Sequence, residues 1–265
     1  MKEKRNVILN STILYIIAFL ITTIIHEFSH ALAGVLNGSE PVLHHNYVEH
    51  LAISHLSALQ RVSISLAGPI SSLIQGLLAG WIYLTSQKQK PLHLFLLWFS
   101  ALGFSNFFGY LMTGPLFRAG DIGKVYLLLK LPLPIQIIIA VIGAAVLFFI
   151  AYKLTVPFLQ FSYRQEWVVD EHSRKNFAFG IIILPWIIGS SIVTILYLPI
   201  IAIISIIYPI MSGMVFIFPW QNARRIKSVE LSKDTKIGEP SVLLCFLLAV
   251  VIIGFKLILA SGIPL

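Results

Sequence analysis

Charged residues and cysteines are both scarce in this sequence of 265 residues. Only 11% of the residues are charged, whereas a soluble domain carries about 25%, so a soluble globular protein is excluded. The single cysteine, Cys245, rules out an intrachain disulfide and gives no information about the redox compartment. The apolar runs lack the alternating pattern of barrel strands, so any membrane-spanning segments must be helices.

Long apolar runs dominate the chain instead. Hydrophobic residues make up 57% of it, and several runs approach the length of about 20 residues that spans a bilayer. We expect an all-α, polytopic transmembrane helical bundle of about seven spans, within a range of six to eight. The predicted spans lie near 7–36, 61–84, 91–114, 134–152 and 240–260, with two more in 177–219 that break near Leu198–Pro199.

The first of these runs is interpreted as a retained span and not as a signal peptide. Its apolar part continues from Val7 to Ile25, which exceeds the 7–15 residues of a typical signal-peptide apolar region.

Basic residues are unevenly distributed between the connecting segments. The net charge is +8, and with seven spans 14 lysines and arginines fall on the side of the N-terminus against 4 on the other. The positive-inside rule then predicts a cytoplasmic N-terminus in a multi-pass protein of the cell membrane. We interpret the charge as a determinant of topology and of contact with lipid headgroups, and we expect no binding of nucleic acid.

The sequence His26-Glu27-Phe28-Ser29-His30 lies at the end of the first apolar run. Residues four apart share one face of a helix, so both imidazoles can bind one metal ion. Glu27 follows the first ligand and can act as general base toward a metal-bound water, which is the arrangement of zinc hydrolases. Ionisable side chains at membrane depth are costly, and this favours a functional role over a chance match.

A catalytic zinc ion needs a third protein ligand besides these two histidines. Asp121 is the candidate, because no other acid lies between Glu49 and Glu166, and because Gly120 and Gly123 allow the chain to pack closely around it. A salt bridge from Asp121 to a neighbouring basic residue, Arg118 or Lys124, or a helix cap, is the alternative.

Two further polar features remain open to more than one interpretation. The segment 38–58 has room for a small hairpin or re-entrant loop, where an extended substrate can pair with the backbone. Its four histidines are further metal ligands or simply interfacial side chains; they are His44, His45, His50 and His55. Asn106, in the third apolar run, either joins helices or binds the substrate backbone.

Together these residues resemble the site-2 protease family of intramembrane zinc metalloproteases. The resemblance covers roughly residues 15–125 and depends on the H-E-x-x-H motif, on Ala67-Gly68-Pro69, and on Asn106 followed by Asp121. It implies that residues 1–130 form a three-helix core that holds Zn²⁺ through His26, His30 and Asp121, and that residues 131–265 form accessory transmembrane helices. It also implies that Glu27 is the base and that peptide bonds in or beside transmembrane segments are cleaved.

Two other functions fit parts of the pattern. A membrane metalloprotease acting on the end of a lipidated or soluble peptide would take its third ligand from a glutamate such as Glu166 or Glu171. A transporter or metal-permeation protein would use His26, Glu27 and His30 as a polar pathway, but it needs similar residues in several helices. Neither the substrate nor the oligomeric state follows from the sequence.

Overall fold

A computed structural model describes residues 2–86, 89–198, 204–231 and 237–265 as an all-α helical bundle with one small sheet. Six of its helices are long and apolar enough to cross a membrane, which confirms the predicted polytopic bundle. These spans are Lys2–Asn37, Ala58–Ser86, Pro91–Thr113, Leu133–Leu159, Glu171–Leu196 and Val242–Ser261.

The first span is a single helix, α1 (Lys2–Asn37), and it lies at the centre of the bundle. In its most apolar stretch 67% of the residues are buried, against 11% in the fourth and the last spans, which therefore face lipid. Tyr15 of α1 packs edge-on against Trp98, and Trp98 packs in turn against Phe158 and Phe216. Both predicted parts of the chain thus contribute to one core.

Helix α1 ends where the sequence predicted a stop. Gly38 follows the last helical residue with φ 75°, a left-handed conformation that commonly closes a helix.

Helices α2 (Ala58–Ser86) and α3 (Pro91–Thr113) follow, and a short helix α4 (Asp121–Leu128) lies in the connection to the fourth span. Gln87 and Lys88, between α2 and α3, lie outside the described residues.

The predicted hairpin in 38–58 is present. Strand β1 (Pro41–Leu43) pairs antiparallel with β2 (Val48–His50), so that Pro41 lies opposite His50. A third strand, β3 (Ile263–Pro264), pairs with the other edge of β1. The C-terminus and the hairpin therefore lie at the same end of the bundle.

The fourth and fifth spans are each built from consecutive helical segments. The fourth consists of α5 (Leu133–Lys153) and α6 (Thr155–Leu159). The fifth consists of α7 (Glu171–Ala178), a π-helical turn (Phe179–Ile183) and α8 (Leu184–Leu196).

Residues 204–223 run back along the fifth span. The Leu198 carbonyl, just after the end of this span, accepts a hydrogen bond from Lys256 of the last span. The Ala223 carbonyl accepts one from Arg174, which lies in the first turn of the fifth span. Residues 198 and 223 thus lie at opposite ends of this span, and the described residues 204–222 between them form a seventh crossing beside it.

This seventh crossing is broken into short helices, although the sequence predicted one continuous helix there. It consists of α9 (Ile204–Met211), a 3-10 turn (Met214–Phe216) and α10 (Ile217–Asn222). Pro209, Gly213 and Pro219 fall within it, and such residues interrupt regular helical hydrogen bonding.

The predicted break near Leu198–Pro199 follows the end of α8, and Pro199 itself lies outside the described residues. The last helix, α11 (Val242–Ile253), begins the final span.

Candidate metal centre

His26 and His30 lie one turn apart on α1, as the motif predicts, and both side chains are buried. Their rings meet edge to face with centroids 4.7 Å apart. The two Nε2 atoms are 3.1 Å apart. Helical spacing alone therefore places two nitrogen donors within the reach of one ion.

The loop before α4 brings Asp121 to these histidines. Gly123 packs so closely against this loop that a Cβ atom there would lie 2.1 Å from the Phe117 carbonyl oxygen. This close approach places Asp121, the first residue of α4, opposite the H-E-x-x-H turn. Its Oδ2 atom lies 3.1 Å from His26 Nε2 and 3.3 Å from His30 Nε2.

The ionised form of Asp121 is favoured at this position. Burial alone would raise the pKa of its carboxyl group, but the two histidines stabilise the charged form and hold the pKa well below its usual range. The alternative partners, Arg118 and Lys124, make no ion pair with it in the described part of the chain. A charged carboxylate is the form that binds a metal ion.

The three donor atoms form a nearly equilateral triangle with sides of 3.1, 3.1 and 3.3 Å. Ligands of a tetrahedral zinc ion lie about 2.0–2.1 Å from the metal, which places them roughly 3.3 Å from one another. The triangle thus has the dimensions of three zinc ligands with a fourth position left open. Among the described residues, these side chains form the only group of three metal-binding residues whose donor atoms converge.

Hydrogen bonds fix which nitrogen of each histidine faces this triangle. His30 Nδ1 lies 2.6 Å from the Ile64 carbonyl oxygen, which can only accept, so Nδ1 carries the proton. Ser72 donates its hydroxyl proton to the Gly68 carbonyl, and its oxygen is then free to accept from His26 Nδ1 at 3.2 Å. Both rings therefore hold Nδ1 in a hydrogen bond and direct Nε2 at the triangle, as metal-binding histidines do.

Helix α2 approaches the two histidines at Gly68. A Cβ atom built on Gly68 would lie 2.3 Å from His30 Nε2 and 2.6 Å from His26 Nε2. No residue with a side chain fits there without displacing the imidazoles. The second and first spans thus approach each other closely at Gly68, within the Ala67-Gly68-Pro69 sequence.

Glu27 lies beside the triangle without being part of it. Its electrostatic neighbours are His26, His30, Asp121 and Lys124. Its side chain is partly exposed, and the described residues provide it with no hydrogen bond or ion pair. Its carboxylate is therefore free to interact with a water molecule at the open position.

The rival metal ligands lie elsewhere. His50 is the nearest, but its Nδ1 is hydrogen-bonded to Ser39 Oγ at 2.7 Å. Burial, together with the charges of His30 and Lys124, lowers the pKa of His50 to about 4, so the ring is neutral at physiological pH. The other three histidines of the segment 38–58 also have partners of their own: His44 stacks on Tyr47, His45 contacts Tyr197, and His55 ends a 3-10 turn. Glu166 pairs with Arg164. Glu171 and His172 lie at the start of α7.

Asn106 is used in a contact between helices. Its side-chain amide donates to the Tyr208 hydroxyl on the broken crossing, while its Oδ1 atom is buried without a partner among the described residues. One of its two polar atoms therefore joins helices. Substrate binding through the other atom stays a prediction.

Sequence reasoning missed Ser72 and Tyr110. The Tyr110 ring stacks on His26, with centroids 5.4 Å apart and planes 12° from parallel. Ser72 holds the same imidazole through Nδ1. Ser72 lies one turn after Gly68, so the approach of α2 at that glycine was the one signal for it.

No family model matches this chain, and neither the curated proteins nor the solved structures contain a match to it. The interpretation of the centre therefore depends on its own geometry.

Proposed function

We propose that this protein is a membrane-embedded zinc endopeptidase that cleaves peptide bonds in or beside transmembrane segments, as the site-2 protease family does. The convergence of His26 Nε2, His30 Nε2 and Asp121 Oδ2 within 3.3 Å of one another, next to a free glutamate, is the observation that carries the proposal. A Zn²⁺ ion bound by these three groups supplies a Lewis acid that polarises a carbonyl and lowers the pKa of water toward about 7.

The residues around the ion have separate roles in this proposal. Glu27 accepts a proton from the attacking water and later delivers it to the leaving amine, so that one water is consumed for each peptide bond broken. Ser72 and the Ile64 carbonyl hold the imidazoles in the orientation that ligation requires. Tyr110 limits rotation of the His26 ring by stacking on it.

The substrate is a membrane protein or a peptide whose backbone is extended near the scissile bond, because helical hydrogen bonds shield carbonyl groups. One edge of β2 is unpaired in the three-stranded sheet, whose order is β2-β1-β3. An extended segment can add to such an edge by backbone hydrogen bonding. His50, at the end of β2, is an electrostatic neighbour of His30, so this edge lies close to the centre.

The other functions have less support. Glu166 and Glu171, the candidate third ligands of a protease acting on peptide ends, lie in other surroundings. A permeation pathway needs metal-binding groups at several depths, and the described residues contain one such group.

We also propose a cytoplasmic N-terminus in the cell membrane. The 14-to-4 distribution of basic residues assumed seven crossings, and the broken segment 204–222 provides the seventh. The protein is thus embedded in the lipid bilayer, and its hairpin lies at the non-cytoplasmic end of the bundle.

The variant Glu27→Gln tests the proposed reaction. An amide cannot accept the proton, and general bases contribute about 10²–10⁴-fold to rate, so we expect cleavage to fall by that factor while bound zinc is unchanged. The purified chain is incubated in vesicles with a library of transmembrane peptides, and the products are identified by mass spectrometry. Glu166→Gln is the control, and cleavage by Glu27→Gln at the wild-type rate would remove Glu27 from the mechanism.

A further inference from the structure

A cavity of about 320 Å³ lies on the other side of α4 from the metal ligands, at the connection between the third and fourth spans. Arg118, Tyr126, Lys130 and Gln136 line it, together with apolar residues. None of the lining residues is a metal ligand or a base in the proposed reaction. The function proposed above therefore leaves this cavity unexplained.

The cavity carries positive charge that no residue of the described chain neutralises. Arg118 and Lys130 both line it with exposed side chains, and neither forms an ion pair or a side-chain hydrogen bond with another described residue. No lining residue is acidic. Two cations facing one cavity without a counter-ion favour binding of an anion.

A polar group with no partner also belongs to this cavity. Tyr126 lines it and is only 4% exposed, yet its hydroxyl is buried without a hydrogen-bond partner among the described residues. A buried hydroxyl without a partner is costly. A ligand with acceptor oxygens would satisfy it.

Lys130 occupies a backbone position that glycine normally takes. It closes α4 with φ 51°, and the Leu131 amide bonds back to the Tyr126 carbonyl at 3.0 Å. A left-handed residue at this point of a helix end is usually glycine. The presence of a lysine there is explained if its side chain binds a ligand.

The surroundings of the cavity distinguish a lipid from a free anion. Leu127 and Leu133 line it and remain 51% and 57% exposed. It also lies between the end of the third span at Thr113 and the start of the fourth at Leu133, and span ends are where headgroups meet acyl chains. A ligand with both a phosphate and an acyl chain contacts both kinds of lining.

The geometry points to a binding site for the phosphate headgroup of an anionic phospholipid in this cavity. Arg118 and Lys130 contact the phosphate oxygens, the Tyr126 hydroxyl donates to one of them, and the acyl chains lie along Leu127 and Leu133. Because α4 also carries Asp121, a bound lipid stabilises the helix that presents the third metal ligand.

A lipid titration of the purified full chain in neutral detergent tests this site. Dioctanoyl phosphatidylglycerol, dioctanoyl phosphatidylcholine and inorganic phosphate are each added, and the midpoint of thermal unfolding is measured against concentration. We expect phosphatidylglycerol to raise the midpoint at lower concentration than phosphatidylcholine, and inorganic phosphate to have no such effect. Equal effects of the two lipids, or an equal effect of inorganic phosphate, would overturn the assignment.

Two variants and a control locate the binding. In Arg118→Gln/Lys130→Gln the apparent affinity for phosphatidylglycerol should fall by about fivefold for each cation removed, and Tyr126→Phe should weaken it without altering charge. Lys90→Gln removes an exposed lysine at the opposite end of α3 and should have no effect. Unchanged affinity in both test variants, or an equal loss in Lys90→Gln, would show that the lipid binds elsewhere.

Discussion

At the scale of single residues, the geometry of the proposed metal centre depends on groups that are not themselves metal ligands. The motif identified His26 and His30, but it gave no information about what holds their rings. The structure assigns that role to the Ile64 carbonyl and the Ser72 hydroxyl. Such partners orient a ligand and increase its basicity, and this makes them as testable as the ligands themselves.

Ser72→Ala should weaken zinc binding by about 10–100-fold, the usual effect of losing a hydrogen bond to a ligand histidine. The alanine leaves His26 Nδ1 without its acceptor, so the ring is no longer held with Nε2 toward Asp121. Zinc affinity is measured by competition with a chromogenic chelator.

The neighbouring Ser71→Ala is a matched control, because Ser71 also donates to the Gly68 carbonyl but does not contact a histidine. If both serine variants bind zinc with the wild-type affinity, Ser72 has no part in positioning the ligand.

At the scale of elements, sequence reasoning succeeded where the signal is local. Apolar length located the spans and placed the end of the first one at residue 36, next to the last residue of α1, and the glycines around Asp121 suggested the tight loop that Gly123 forms. It failed where distant segments meet. The pairing of β3 with β1 joins residues more than 200 positions apart, and nothing near Ile263 indicates it.

The broken crossing was missed for a related reason. Residues 204–222 are mostly apolar, and apolar length alone predicts a continuous helix, whereas Pro209, Gly213 and Pro219 interrupt one. Their short helices are held by contacts with other spans, such as the hydrogen bond from Trp186 to the Ile210 carbonyl. Packing of this kind cannot be inferred from one segment alone.

Gly68→Ala tests the contact between α2 and α1. The added methyl group would overlap both Nε2 atoms, so we expect the purified variant to lose bound zinc while the helices still assemble. Zinc is measured by mass spectrometry and helix content by circular dichroism. Gly109→Ala is the control, since no atom lies within 4 Å of a Cβ at that position. A Gly68→Ala protein with its full zinc content would mean that the two helices do not meet as described.

At the scale of the whole molecule, the start of α1 and the strand β3 lie at opposite ends of the bundle, because β3 pairs with the hairpin that follows α1. A reporter fused at residue 45, in the hairpin, should read non-cytoplasmic, because the N-terminal end carries most of the basic residues. A reporter at residue 88, which lies outside the described residues, should read cytoplasmic. The reverse pattern would reject the proposed orientation and leave the fold intact.

The zinc content of the purified full chain tests the central claim most directly. We predict about one zinc per wild-type chain, and far less in His30→Ala and Asp121→Asn, since each variant removes one corner of the donor triangle. Glu171→Gln should retain the wild-type content, because that carboxylate lies at the start of α7. A wild-type chain without zinc, or an unchanged content in His30→Ala and Asp121→Asn, would contradict the assignment of this centre.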